Sequence, residues 1–333
     1  MGPHPAVAQV RLGVRRSLAG LSRGELVLAA CSGGADSLAL AAALAVEAPR
    51  LGLRAGGITV DHGLQQGSAQ RAEQVTRILA GLRLDPVHSV AVAVARRQPQ
   101  PGGPPYRGPE AAAREARYAA LAQAAAKAGA AAIALGHTLD DQAESVLLGL
   151  ARGSGARSLA GMAPRSGRYL RPLLGVRRTS TRAACAVLHL DPWEDPHNTD
   201  SSYARARVRG QLLPILEEVL GPGVTEALAR SAGQLRADAD TLDCLAAAQA
   251  QRLAGPDGSL PADGLAELPA AIRTRILRAA ALAAGSPAGA LGARHVHALD
   301  ALVTGWHGQR GTDLPGGLRC RREYGRLLFS PRA

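Results

Sequence analysis

The chain has 333 residues, of which 47% are hydrophobic, with 39 basic and 27 acidic side chains and a formal net charge of +12. This length favours one domain of up to roughly 200 residues plus a smaller one. The hydrophobic fraction argues against a disordered chain, and the scattered 39 Gly and 21 Pro argue against a collagen-like repeat.

The basic residues are almost all arginines, because Lys127 is the only lysine. A Walker-type phosphate loop and a Schiff-base enzyme each need a lysine in the site, whereas Lys127 lies in an alanine-rich helical pattern. Guanidinium groups bind phosphate bidentately, so the charge favours a polyanionic partner such as a nucleic acid.

The cysteines and the apolar runs indicate the cellular compartment. Cys31, Cys185, Cys244 and Cys320 are far apart, which argues against a zinc site or a disulfide scaffold and favours a reducing cytoplasm. No apolar run has the length of a signal-peptide core or a membrane span, so we expect a cytoplasmic protein without a membrane anchor.

The first half of the chain alternates short apolar runs with helical patterns. Strands are predicted at 26–31, 57–60, 86–94 and 131–135, and helices at 37–47, 69–82, 110–128 and 140–151. Such alternation predicts an α/β fold, a parallel sheet with helices on both faces. Ligands of this fold bind at the carboxyl ends of the strands.

The second half differs in charge and in pattern. Residues 151–210 contain eleven arginines against four acids, so this stretch is where we expect a polyanion to bind. Helical patterns cover 212–253, 268–284 and 295–305, and residues 318–329 favour a hairpin. We therefore predict a catalytic domain at 1–210 and a smaller, mostly helical domain at 211–333.

The loop after the first predicted strand has the composition of a phosphate site. It contains Ser32, Gly33, Gly34, Ala35, Asp36 and Ser37, and it opens a helix. Backbone N–H groups at a helix start bind phosphate oxygens, the glycines allow close approach, and Asp36 can hold a magnesium ion. A Gly-Gly turn alone is equally typical of an ordinary connection, and Asp36 alone of a first-turn carboxylate.

The complete string Ser-Gly-Gly-Ala-Asp-Ser resembles the pyrophosphate loop of the ATP pyrophosphatase (PP-loop) superfamily, whose members cleave ATP between the α and β phosphates. Further strings follow in order: Asp61-His62-Gly63-Leu64, Glu110 to Tyr118, Gly136 to Glu144, Arg152 to Gly155, Leu159 to Met162, Arg171 to Leu174 and Asp195 to Asn198. From about Leu26 to Pro214 the chain resembles the bacterial tRNA(Ile)-lysidine synthases.

This resemblance implies an adenine nucleotide alpha hydrolase-like, Rossmann-like fold and a defined reaction. Family members use ATP and Mg²⁺ to adenylate the wobble cytidine in the CAU anticodon of an isoleucine tRNA. The amino group of free lysine then displaces AMP to form lysidine, which changes the tRNA identity from methionine to isoleucine. Adenylation is needed because the cytosine carbonyl oxygen is a poor leaving group.

Each candidate residue also has a structural interpretation. Asp140 and Asp141 begin a helix, where acids are commonly caps, yet that strand end faces the same crevice as the phosphate loop, so they are candidates for contacting magnesium or the lysine ammonium. His137 is a candidate catalytic residue or a turn residue. Arg114 and Arg117 share a helix face that is either solvated or, for Arg114, a clamp on ATP or the activated base.

Two further segments carry polar candidates. Asp61 and His62 follow the second strand, where either a base or ribose contact or a simple turn fits. The Asp195 to Asn198 stretch leads to an arginine string that the resemblance places near the active site, so Arg205, Arg207 and Arg209 are predicted to bind tRNA. Ala206, His197 and Ser145 depart from the usual family residues, which puts fine contacts in doubt rather than the reaction class.

Three other functions explain part of the sequence. A tRNA thiolase of the same superfamily normally needs paired cysteines, and the four present offer no such pair. A non-catalytic RNA-binding protein would leave the nucleotide loop unexplained. A small-molecule ligase would not need the arginine-rich stretch, and it would consume ATP without tRNA. The C-terminal helices are either a tRNA grip or a plain core, and a homodimer is an open expectation.

Overall fold

The computed structural model describes residues 2–61, 63, 67–92, 108–153, 155–195 and 200–332, with residues 108–113 described by backbone alone. The chain divides into two compact units, Met1–Gln234 and Leu235–Ala333. The predicted functional boundary at residue 210 is a different division, and it stays a prediction.

The first unit contains a six-stranded sheet in the order β3-β2-β1-β4-β6-β5. Its strands are β1 (Leu26–Ala30), β2 (Arg54–Asp61), β3 (Val87–Ala91), β4 (Ala130–Leu135), β5 (Arg165–Ser166) and β6 (Tyr169–Leu170). All neighbouring strands are parallel except β5, which is antiparallel to β6. The predicted parallel sheet is confirmed.

One helix precedes the first strand of this unit, and the others lie between or after the strands. They are α1 (Pro5–Leu18), α2 (Ala35–Arg50), α3 (Ser68–Gly81), α4 (Gly108–Lys127), α5 (Leu139–Ala151), α6 (Ala156–Leu159), α7 (Arg178–Val187), α8 (Ala204–Arg207) and α9 (Leu213–Leu220), with a π-helical turn at Val208–Leu212. The sequence patterns identified α2 to α5 but gave no signal for α1 or α7.

Alternating residues of β1 build two cores, one on each face of the sheet. Val27 and Ala29 pack into a buried cluster with α1, α2, α3 and α7. Leu26 and Leu28 pack on the opposite face with Leu121 of α4. Because successive strand residues point to opposite faces, a run of consecutive apolar residues buries both sides of the sheet.

The sheet order places the phosphate loop at a topological switch point. From β1 the chain moves to β2 and β3 on one side, whereas β4 lies on the other side of β1. The loops that follow β1 and β4 therefore open onto one crevice at the carboxyl edge. Gly136 makes this approach close, because a Cβ there would lie 3.1 Å from the Ser37 amide nitrogen.

The second unit packs helices on an antiparallel sheet. Its helices are α11 (Ala262–Ala266), α12 (Ala270–Ala283) and α13 (Ala293–Thr304), with α10 (Val224–Leu253) running into it across the boundary. Its strands are β7 (Leu260–Pro261), β8 (Thr312–Leu314), β9 (Leu318–Glu323) and β10 (Arg326–Pro331), in the order β7-β10-β9-β8. The predicted hairpin and helices are present, except that the helical pattern at 212–253 is divided at Gly221–Gly223 into α9 and α10. The strands β7 and β8, each only two or three residues long, lack a readable pattern.

Candidate active site

The phosphate loop is held by the hydroxyl of Ser37, in the first turn of α2. Ser37 Oγ donates to the Gly34 carbonyl at 2.8 Å and accepts from the Ser32 amide at 3.2 Å. Ser32 Oγ lies 3.4 Å from the same hydroxyl. The two serines of the predicted motif therefore fix the loop conformation, in addition to any contact they make with a ligand.

Position 33 requires a glycine for two reasons, the positive φ of its backbone and the lack of room for a Cβ atom. Its φ is +86°, and a Cβ at this position would lie 2.9 Å from Val75 Cγ2. The Trp193 amide donates to the Gly33 carbonyl at 2.9 Å, which ties the loop to a segment 160 residues further along the chain. The loop is thus fixed before a ligand arrives, with the N-terminus of α2 directed into the crevice.

Asp36 lies in the first turn of α2 and accepts hydrogen bonds from two residues of α7. Thr181 Oγ1 donates to Asp36 Oδ1, and Arg178 Nε lies 3.3 Å from Asp36 Oδ2. Burial raises the pKa of Asp36 above its ordinary value, although the Thr181 hydrogen bond and the Arg178 charge act in the opposite direction. Its ionised form would therefore gain from an additional cation.

Thr138 and Asp141 form a capping box at the start of α5. Asp141 Oδ2 accepts from the Thr138 amide at 2.8 Å, and the Asp141 amide donates to Thr138 Oγ1 at 3.5 Å. Burial raises the pKa of Asp141, but Arg178, the Thr138 amide, His137 and Arg209 together hold it below its ordinary value. The capping interpretation of Asp141 is confirmed, and its other oxygen is left to contact arginines.

Arg178 joins all four acids of the crevice, and sequence reasoning missed it. Its guanidinium lies 3.3 Å from Asp36, 2.8 Å from Asp141 and 3.4 Å from Glu144, and its backbone amide donates to Asp140 Oδ2 at 2.8 Å. Burial lowers the pKa of Arg178, but these carboxylates raise it by more. Arg178 lies four residues after the string 171–174, and no motif or residue spacing in the sequence distinguishes it from the neighbouring arginines.

Glu144 is fully buried and is surrounded by arginines. Arg209 Nε lies 2.7 Å from Glu144 Oε1, and Arg209 Nη2 lies 3.1 Å from Oε2. Arg205 Nε lies 3.4 Å from Glu144 Oε2, and its Nη2 donates to Ser145 at 3.2 Å. A buried carboxylate without such partners would carry a large desolvation cost, so these contacts are needed for the fold itself.

These acids and arginines form one connected group, which we call the carboxylate–arginine network: Asp36, Asp140, Asp141, Glu144, Arg178, Arg205 and Arg209. It brings together five of the predicted site residues from three separate segments of the chain. Asp140 also lies 3.9 Å from Arg177, whose Nε is 3.3 Å from Glu226. With this pair included, five acids and four arginines leave a formal excess of one negative charge.

A second group lies around His137 and consists of His137, Arg114, Arg117 and Arg171; we call it the histidine–arginine cluster. Burial lowers the pKa of His137 to about 4; the Asp141 charge opposes this change and the three arginines increase it. The imidazole is therefore neutral at pH 7. Its Nδ1 is buried and has no hydrogen-bond partner among the described residues.

The arginines of this cluster are held by aromatic and backbone groups. Arg114 Nη2 donates to the Tyr118 hydroxyl at 3.3 Å, and its guanidinium carbon lies 5.1 Å from the Tyr118 ring centre. Arg171 donates to the Ala163 carbonyl at 2.8 Å. Burial, with the charges of Arg114 and Arg205, lowers the pKa of Arg117. The described contacts of these three side chains include no carboxylate.

Arg207 lies apart from both groups. Its Nη1 donates to the backbone carbonyls of Ser201 and Ser202 at 2.7 and 2.9 Å, and the side chain is exposed. Of the three predicted tRNA-binding arginines, Arg205 and Arg209 are thus paired with Glu144 and are partly exposed, whereas Arg207 is exposed and contacts no acid among the described residues. The candidates His62 and His197 lie outside the described residues.

Asp36 suits magnesium as a single carboxylate ligand. Mg²⁺ usually keeps several waters and binds through one or two carboxylates plus substrate phosphates. The Asp36 side chain is 24% exposed beside the phosphate loop, and its raised pKa indicates that a cation would stabilise its charge. In the part of the chain that the structure describes, no three His, Cys, Asp or Glu side chains are arranged so that together they could hold a metal ion, so the remaining ligands would be phosphate oxygens and water.

Two family descriptions match this chain. Residues 12–216 match the PP-loop domain, and residues 260–328 match the TilS substrate binding domain. Over 329 residues the chain is 60% identical to the tRNA(Ile)-lysidine synthase of Thermobifida fusca, with 99% of each chain covered. The chain belongs to the tRNA(Ile)-lysidine synthase family. The family resemblance predicted from the sequence strings is therefore confirmed.

Other relatives agree with this family assignment. The tRNA(Ile)-lysidine synthase of Streptomyces coelicolor is 54% identical over 358 aligned positions, again with 99% of each chain covered. Among solved structures, the U34-tRNA thiolase NcsA from Methanococcus maripaludis is similar at a TM-score of 0.55 and 18% identity, covering 69% of this chain and 79% of that one. At this identity the likeness to the thiolase shows the fold alone.

Among the described residues, none of the helices combines the length and the apolar character that crossing a bilayer requires.

Proposed function

We propose that this chain is a tRNA(Ile)-lysidine synthase, which uses ATP to join free lysine to the wobble cytidine of the CAU anticodon of an isoleucine tRNA. The observation that carries the proposal is the 60% identity to a named lysidine synthase over 99% of both chains. The phosphate loop and the carboxylate–arginine network support it, because they supply the two kinds of group that the reaction needs.

In the first step, the carbonyl oxygen of the cytidine attacks the α-phosphorus of ATP, and pyrophosphate leaves. The loop residues Ser32, Gly33, Gly34, Ala35, Asp36 and Ser37 are proposed to bind ATP, with backbone amides and hydroxyls on the phosphate oxygens. Asp36 would hold Mg²⁺, which neutralises charge on the phosphates when it is bound.

In the second step, the amino nitrogen of lysine attacks the activated carbonyl carbon, and AMP leaves with the former carbonyl oxygen. Asp140 and Asp141 are proposed to contact the lysine ammonium or to help hold Mg²⁺. The formal excess of one negative charge in the network supports this role, since a bound cation would balance it. Asp141 is held ionised by its arginines, as a partner for an ammonium must be.

His137 and Arg114 are proposed to contact the reacting base and the adenylate. A neutral His137 with an unpartnered Nδ1 can accept or donate one hydrogen bond without repelling the nearby arginines. Arg114 is exposed and has no carboxylate partner among the described side chains, so its charge is free for a phosphate.

The tRNA contacts are proposed from the same resemblance. Arg205, Arg207 and Arg209 would lie along the RNA, with Arg207 the most accessible of the three. The accessory domain at 211–333 would bind the body of the tRNA, supported by the substrate binding domain matched at 260–328. A cytoplasmic location fits a tRNA substrate, and a homodimer stays a prediction.

The test is whether ATP cleavage depends on tRNA. Purified protein is incubated with ATP, Mg²⁺ and lysine, with or without an isoleucine tRNA transcript bearing CAU, and AMP is measured. We expect AMP to form only with this transcript. AMP formed equally well without RNA would contradict the proposal and favour a small-molecule ligase.

A further inference from the structure

A group of arginines on α1 and at the end of α2 surrounds one buried acid. Glu47 has a fully buried side chain, with Arg11 Nε 2.6 Å from one carboxylate oxygen and Arg15 Nε 2.7 Å from the other. Arg50 Nη1 lies 3.9 Å from the first oxygen. One guanidinium would neutralise Glu47, so three leave a formal excess of two positive charges.

The contacts leave most of the guanidinium donors of this group unused. Arg11 and Arg15 each contact Glu47 through Nε alone. Within the described part of the chain, no protein acceptor bonds their terminal nitrogens Nη1 and Nη2. Because an arginine carries five N–H donors in a fixed fork, each side chain is anchored at Nε with its other donors unused. The Arg15 side chain is half exposed and that of Arg11 is partly exposed.

The three arginines line an open groove of about 420 Å³ whose other walls are apolar. The groove is lined by Pro3, Ala8, Arg11, Leu12, Arg15 and Arg50. It has no acid, amide or hydroxyl side chain that could recognise a base or a sugar. Such a surface suits a ligand group that offers negative charge and oxygen acceptors and needs no recognition of a base or sugar.

The groove is separate from the active site. Glu47 follows Asp36 by eleven residues on α2, which corresponds to about 16 Å along the helix axis. An RNA whose wobble base lies at the carboxyl edge of the sheet continues beyond that point in both directions along its backbone. A phosphate bound here would fix the position of the RNA without carrying sequence information.

We propose that Arg11, Arg15 and Arg50 form a binding site for a backbone phosphate of the tRNA, preorganised by the buried carboxylate of Glu47. The inference rests on the proposed function only for the identity of the RNA. The apolar lining favours a backbone phosphate over a free nucleotide, because a nucleotide would leave its base and ribose unrecognised.

The test measures binding of the isoleucine tRNA transcript bearing CAU as a function of salt, without ATP or lysine. In the variant R15Q/R50Q, we expect affinity to fall roughly five- to tenfold and the slope of log K against log salt to flatten by about 0.7 to 0.9, which is the contribution of one phosphate. Arg11 is retained in this variant so that Glu47 keeps one partner. The charge-preserving variant R15K/R50K should retain most of the slope, and its thermal unfolding reports whether the helices remain packed.

A matched control removes the same charge elsewhere. Arg16 on α1 and Arg54 on β2 are exposed, so R16Q/R54Q should change the slope by less than half as much. An equal slope change in both double variants would contradict the proposal and indicate a general effect of charge.

In a second experiment, calorimetry measures the binding of inorganic phosphate to the wild type and to R15Q/R50Q. Weakened binding of phosphate with an unchanged tRNA slope would assign the groove to a free anion and overturn the proposal. If the variant binds both tRNA and inorganic phosphate as the wild type does, the proposal is also contradicted. The arginines would then serve only to hold α1 on α2 through their ion pairs with Glu47. Because none of these readouts requires catalysis, a failure here is distinguishable from a failure of the lysine transfer.

Discussion

The carboxylate–arginine network and the histidine–arginine cluster lie at the carboxyl edge of the same sheet, and they differ in what balances their charge. Each network arginine contacts at least one acid, and Glu144 contacts three arginines. The described contacts of the cluster arginines include aromatic and backbone groups but no acid. We therefore expect the network to contribute to stability as well as to its proposed chemical role, and the cluster to act mainly through its proposed contact with a phosphate or an adenylate.

The largest effect is expected at the point where the network meets the phosphate loop. The change Asp36→Asn removes the charge that would hold Mg²⁺, and we expect the rate of lysine transfer to fall about a thousandfold. Single-turnover kinetics measures this rate. Asp238→Asn, at an exposed acid of α10, is the control and should retain wild-type activity; a wild-type rate in Asp36→Asn would rule out the loop assignment.

Removing Arg178 should reveal the structural role of the network. Arg178→Gln leaves Asp141 and Glu144 with fewer cations, and breaking buried ion pairs in this way costs about 3 kcal/mol in the free energy of unfolding. Urea titration measures the loss. The double variant R178Q/E144Q should recover part of it, and strictly additive losses would show that the two residues do not interact.

Removing Arg114 should have the opposite effects, a small change in stability and a large loss of activity. Because Arg114 is exposed and unpaired with any described acid, Arg114→Gln should change the free energy of unfolding by less than about 0.5 kcal/mol. We expect kcat/KM for lysine transfer to fall by about a hundredfold. Arg77→Gln on α3 is the exposed control. A stability loss as large as that of Arg178→Gln would remove the distinction between the two groups.

Measuring both stability and tRNA binding also distinguishes the predicted tRNA-binding arginines from one another. Arg207→Gln should weaken tRNA binding by a few fold and flatten its salt slope by about 0.7 to 0.9, with stability unchanged, because its side chain is exposed. Arg205→Gln should affect stability as well, since it removes a partner of the buried Glu144. Salt titration and urea unfolding of both variants test this; identical profiles would contradict it.

The smallest effect is the dependence of folding stability on pH, which we attribute to His137 of the histidine–arginine cluster. The pKa of His137 is about 4 in the folded protein, below the ordinary histidine value of about 6.5. The unfolded chain therefore binds the proton more tightly, and stability is lost as pH falls from about 6.5 towards 4. NMR titration of the imidazole should give a pKa near 4, and His137→Gln should reduce the pH dependence of unfolding. Titration near 6.5 would show that the imidazole is solvated.

Local patterns predicted the elements that place the loop, because β1, β2 and β4 are apolar runs and the helices after them are periodic. The string Ser32 to Ser37 identified the loop for a physical reason: its hydroxyls and Gly33 determine its own conformation. Asp141 was open to two interpretations, and the structure shows the capping box without excluding contact with lysine.

Other parts of the site could not be predicted, because they depend on contacts distant in sequence. Arg178 meets Asp36 across 142 residues, and Trp193 holds Gly33 across 160. An arginine-rich stretch gives no sign of which arginines will pair with acids, so Arg205, Arg207 and Arg209 were treated alike. The short strands β5 to β8 have too few residues for a periodic pattern.

The most direct test is incorporation of labelled lysine into an isoleucine tRNA transcript bearing CAU, with ATP and Mg²⁺, beside the same transcript bearing a wobble uridine. We expect that the CAU transcript alone is labelled and that one AMP forms for each lysine transferred. An unlabelled CAU transcript, with ATP still cleaved to AMP, would contradict the proposed substrate and leave only an adenylating enzyme of the PP-loop fold.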